Sequence, residues 1–149
     1  MLQTIKQSVK KKTNKKGFTL IEVIVVLVIL AILAAILIPS MIGWINKAQD
    51  KSSVVEARSV LLAEQTIASE NYKMTDSQLA GALKKDGSAV TGFPEATYAK
   101  VMELAEVSTT GTAAVTSVTF SNHKVTAMTY VSTDGVTVTL ANGNWTTSK

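Results

Sequence analysis

Between Val23 and Ile38 the chain runs through sixteen apolar residues without a break. With Phe18 to Glu22 ahead of them they make a 21-residue segment, interrupted only by Thr19 and Glu22. As a helix rising about 1.5 Å per residue, this segment measures roughly 30 Å, the thickness of a bilayer core. It is longer than the apolar stretch of about 7–15 residues in a secretory signal peptide. A plain membrane anchor accounts for its length but not for Glu22. A charged side chain in such a segment costs about 2.5–3.5 kcal/mol on insertion scales.

Charge sharpens the picture. The formal net charge is +4, but six of the fifteen basic residues (Lys6, Lys10, Lys11, Lys12, Lys15 and Lys16) precede Gly17. Without that tail, nine basic groups face eleven acids, a net charge of −2. The basic character therefore belongs to the N-terminal tail, and no specific nucleic-acid binding is inferred. A basic segment ahead of an apolar run stays cytoplasmic. There are no cysteines, so disulfides, cysteine-based zinc sites and cysteine nucleophiles are excluded.

Pro39 ends the run. Inside a helix it removes one backbone hydrogen bond and leaves the Ala35 carbonyl without its partner. Gly43 adds a second weak point. The helical pattern then resumes from Trp44 to about Tyr72. Val54, Ala57, Leu61 and Ala68 share a stripe with Val60 and Ile67 beside it, an amphipathic helix. A helix from Phe18 to Tyr72 would be about 80 Å long. Lys47 and Lys51 fall at the outer membrane surface or on a filament.

Further on, Asp76-Ser77-Gln78-Leu79 predicts a capped short helix to about Lys85. Phe93-Pro94-Glu95 predicts another, with proline in its first turn, ending near Glu106. From Thr109 onward Thr and Val dominate and the period becomes two. Segments 113–120, 124–131 and 136–141 read as strands, and Asn144 to Thr147 as a fourth. Asn122-His123, Asp134-Gly135 and Asn142-Gly143 between them are hairpin turns. The expected fold class is α+β: a long N-terminal helix packed on a small antiparallel sheet of three or four strands.

The stretch "KKGFTLIEVIVVLVILAILAAILIPSMIGWINKAQ" resembles the N-terminus of type IV prepilins and the related pseudopilins. The matching features are a basic leader ending in Gly17, an aromatic start at Phe18, Glu22, the apolar helix and Pro39. The resemblance implies that a prepilin peptidase cuts between Gly17 and Phe18 and methylates the new amino group of Phe18. It implies that Glu22 pairs with the charged N-terminus of a neighbouring subunit during assembly. A buried carboxylate needs a partner cation, and the new amine is the nearest in sequence. It implies a helix kink or local unwinding at Pro39. Many members have a glycine where this sequence has Ala31, so unwinding should sit close to Pro39.

On this reading residues 1–17 are a cleaved leader and 18–42 a transmembrane and assembly helix. Residues 43–73 are its amphipathic continuation and 74–149 the head. The implied partners are further copies of the chain, the prepilin peptidase, the pilus assembly platform with its motor, and the plasma membrane before assembly. The rival readings are a pseudopilin of a secretion or competence system, a minor pilin, and an unrelated single-anchor membrane protein. No catalytic residue, cofactor or metal site is expected. His123 is the only histidine and sits in a predicted turn, and the acids lack the close spacing of a calcium loop.

Overall fold

The computed structural model describes residues 17–149, so the basic leader up to Lys16 lies outside the described residues. The element order is α1 (Leu20–Glu70), α2 (Asp76–Ala82), α3 (Tyr98–Leu104), then β1 (Ala114–Ser121), β2 (Lys124–Val131), β3 (Thr137–Ala141) and β4 (Asn144–Ser148). The α+β expectation is borne out. The chain divides into two compact units, one ending at Met41 and the other running from Ile42 to Lys149.

In the first unit, α1 begins at Leu20 rather than at Phe18. Thr19 explains the offset, because its side chain occupies the N-cap position. The large apolar side chains from Leu20 to Ile38 are exposed. Their sequence supplies apolar surface on every side of the helix. Pro39 lies inside α1, which continues through it. The Ser40 hydroxyl donates 2.8 Å to the Leu37 carbonyl.

In the second unit, α1 turns one stripe inward. Ser53, Ala57, Val60, Glu64, Ile67 and Ala68 are buried there. Val54 and Leu61 are only partly covered, so the stripe is centred slightly to one side of the expected one. The helix ends where Asn71 intervenes: its side-chain amide donates 2.8 Å to the Ile67 carbonyl, a last-turn acceptor.

The two short helices depart from the sequence expectation in opposite directions: α2 starts one residue earlier and α3 four residues later. Thr75, not Asp76, is the N-cap of α2, closing a reciprocal box with Gln78. The helix ends at Ala82 rather than near Lys85. For α3 the expected start at Pro94 is replaced by Tyr98. Residues 93–97 make successive turns, and Thr97 is the cap, accepting from the Lys100 amide at 3.3 Å. A threonine whose hydroxyl takes an orphan helix N–H competes well with proline as the start signal.

The sheet is a simple antiparallel meander, β1-β2-β3-β4. Asn122, His123, Asn142 and Gly143 all have positive φ, as two-residue hairpin turns require. The period-two alternation is broken twice. Between Val115 and Ser117 on β1, and opposite Thr119 and Phe120 on β2, the pairing slips by one residue. Thr116 and Thr126 are the extra residues, and each hydroxyl bonds across to the neighbouring strand, to Thr129 and Thr119. Tyr130, Met128, Val115, Val138 and Leu140 point inward and join the α1 stripe in one core.

Polar clips fasten this sheet to α1. Ser53 shares a 2.9 Å hydrogen bond with Ser132 in the β2–β3 loop. Glu56 accepts from the Tyr130 hydroxyl, from the Thr133 amide at 3.0 Å and from the Thr133 hydroxyl at 2.8 Å. Gln65 donates to the His123 carbonyl at 2.7 Å and accepts from the Val125 amide at 3.1 Å. Both ends of β2 are therefore tied to the helix, in addition to the apolar packing.

Candidate functional site

The candidate site is the start of α1. Gly17 is exposed and outside regular structure. A Cβ added there would meet nothing within 4 Å, so packing among the described residues does not demand glycine. Phe18 follows at 88% exposure.

The next four residues form a reciprocal cap. The Thr19 amide donates to Glu22 Oε2 at 3.1 Å, and the Thr19 hydroxyl donates to the same oxygen at 3.0 Å. In return Thr19 Oγ1 accepts from the Glu22 amide at 3.3 Å. This is a capping box: threonine at the N-cap and glutamate three residues on satisfy one another's orphan donors. The negative side chain also complements the positive end of the helix. The pattern Thr-x-x-Glu was present in the sequence as a cap signal and was not read as one. It gives Glu22 a structural partner within its own chain.

The box engages one carboxylate oxygen, Oε2. Phe18, Glu22, Val23, Val26 and Leu27 line a shallow groove of about 330 Å³, almost wholly apolar. Phe18 and Glu22 are thus brought to one place. Pro39 is not: it lies seventeen residues further along the helix, roughly 25 Å of helical rise.

Elsewhere the head holds groups with structural partners. His123 Nε2 lies 2.7 Å from the Met74 carbonyl, and its amide donates to Asp76 Oδ1 at 2.9 Å. Asp76 Oδ2 accepts the Asn122 amide at 2.9 Å. These contacts pin the β1–β2 turn to the start of α2. Burial pushes the Tyr130 phenol up, helped by its bond to Glu56, so it remains a hydrogen-bond donor. Among the described residues no group of His, Asp and Glu is arranged to hold a metal ion.

One buried acid escaped the sequence reading. Glu64 on α1 is 0% exposed, and neither carboxylate oxygen has a hydrogen-bond partner. Desolvation pushes its acid well above the usual carboxylate range. Its spacing of four residues from Val60 and from Ala68 was the available signal, because those neighbours mark the inward face.

Residues 12–38 match the prokaryotic N-terminal methylation motif. The chain carries the type IV pilin and pseudopilin signature. Gly17, Phe18 and Glu22 all fall inside the matched stretch. No match was found among curated proteins or among solved structures.

Proposed function

We propose that this pilin-like chain is a structural subunit of a type IV pilus. A prepilin peptidase would cut between Gly17 and Phe18 and methylate the Phe18 amine. Before assembly, residues 18–38 would cross the plasma membrane with the N-terminus cytoplasmic. After it, the apolar helices would bundle in the filament core and the heads would coat the surface.

The observation that carries this reading is Glu22, a lone carboxylate in a segment otherwise apolar on all sides. Burial of that segment among like helices would strand the charge unless a cation met it. Cleavage creates such a cation at Phe18, beside the same groove. The capping box occupies Oε2, which leaves Oε1 to face an amine from a neighbouring, staggered copy. Ala31, Ala34 and Ala35 are small enough for apolar helices to approach closely. Gly17 fits a cleavage site, since the fold does not need it and a peptidase cleft favours backbone without a side chain. Local unwinding near Pro39 would let the helix adjust on bundling.

A pseudopilin or minor pilin would share all of these features and differ in abundance. Filaments sheared from the cell surface separate the readings. A major subunit should be the dominant protein of that fraction. Retention of the chain in the plasma membrane of cells that bear filaments would defeat the proposal.

A further inference from the structure

The apolar surface of α1 does not stop where the bilayer core would. Met41, Ile42, Trp44 and Ile45 are also exposed, and the next exposed large apolar residue on α1 is Val55. Counted from Leu20, about 20 helical residues traverse the roughly 30 Å core and reach Pro39. The polar interface adds roughly 5–7 Å on each side. Trp44, five residues past Pro39, falls at that depth at about 1.5 Å per residue.

The side chains there have interfacial chemistry. Trp44 is 77% exposed, although indole is among the largest apolar side chains. Lys47 Nζ lies 6.0 Å from its ring centroid. Trp44, Lys47 and Lys51 lie on one face of the helix at spacings of three and four. On the other side, Lys149 Nζ reaches Gln49 Oε1 at 2.7 Å and Asn46 Oδ1 at 3.3 Å. Three ammonium groups therefore surround α1 at the level of residues 46–51. Asp50 is the only acid between Trp44 and Lys51. An indole body with a polar N–H settles at the headgroup level, and lysines extend their ammonium groups to phosphates from there.

We infer that Trp44, Lys47, Lys51 and Lys149 form a collar that docks the head on anionic phospholipid headgroups of the outer leaflet before assembly. The collar rests on the membrane-spanning state in the proposed function, and it adds a partner chemistry that state does not require. It would hold the head at a fixed height while the subunit waits, with Trp44 setting depth and the lysines supplying lipid preference.

The test uses the full chain with Trp145→Phe, which leaves Trp44 as the only tryptophan. It is reconstituted in phosphatidylcholine vesicles or in equimolar phosphatidylcholine and phosphatidylglycerol. Lipids brominated near the headgroup should quench Trp44 more than lipids brominated mid-chain. Spin-labelled phosphatidylglycerol should be preferred over phosphatidylcholine, and Lys47→Gln and Lys51→Gln should each weaken that preference about fivefold. Leader lysines are common to all variants and cancel in the comparison. A chain that inserts with Trp44 unquenched, or whose lipid preference survives both substitutions, overturns the collar alone. So do variants that lower filament yield while lipid preference stays constant, which would assign the face to a second copy. A chain that fails to float with vesicles overturns the membrane-spanning state as well.

Discussion

Two glutamates on α1 have opposite circumstances. Glu22 is exposed, lies in a segment that is otherwise apolar, and is held by a threonine amide and hydroxyl. Glu64 is fully buried in the head and has no hydrogen-bond partner. One helix thus carries an acid held by local donors and an acid whose surroundings favour its neutral form. Burial alone predicts neither role; the available donors decide it.

The sharpest way to break the contrast is at Glu22. Glu22→Ala should leave membrane insertion intact, since it removes a charge from an apolar segment. Its assembled filament should fall by well over tenfold, because an unpaired buried amine costs about 3–5 kcal/mol. Surface-filament yield beside membrane-fraction abundance measures both. Normal yield would mean that Glu22 serves the cap alone.

Glu64 should respond in the reverse direction. Glu64→Leu is expected to stabilise the head at neutral pH by about 1–3 kcal/mol. The sign with pH follows from its raised folded-state value. Its contribution is fully present below the unfolded carboxyl value near 4.5 and is lost as pH rises towards the folded value. The slope in that window reaches about 1.4 kcal/mol per pH unit. Denaturant unfolding at several pH values should show this slope in the native chain and not in Glu64→Leu.

Glu56 is an intermediate case, an acid with three donors. Glu56→Ala leaves the buried Tyr130 hydroxyl unpaired and frees the β2–β3 loop. A loss of about 2 kcal/mol in head stability is expected, with increased amide exchange at Thr133. The smallest effect is at the cap. Thr19→Val should cost the first turn of α1 about 1 kcal/mol, seen as faster exchange of the Glu22 and Val23 amides.

Much of this was legible in the sequence because it is periodic or punctuated. The apolar run, the change to period two after Thr109 and the Asn-containing turns each report local backbone physics. All four strands lie within two residues of their expected limits. What was not legible depends on which of several adequate signals wins. Thr97 displaced Pro94 as a helix start, and Thr19 displaced Phe18, because a capping hydroxyl satisfies an amide that proline or phenylalanine cannot. The bulges at Thr116 and Thr126 depend on pairing between strands, which no single strand announces. Glu64 went unread although Val60 and Ala68, four residues to either side, already marked the inward face. Glu22 was conspicuous from the outset, whereas its bond to Thr19 required the helix start to be placed correctly.

The central claim is that the partner of Glu22 is made by cleavage. The mass of the chain purified from cells with an active prepilin peptidase tests it most directly. The account predicts a protein that begins at Phe18 and carries one added methyl group on its amine. A chain that keeps Gly17 and the residues before it would contradict the account.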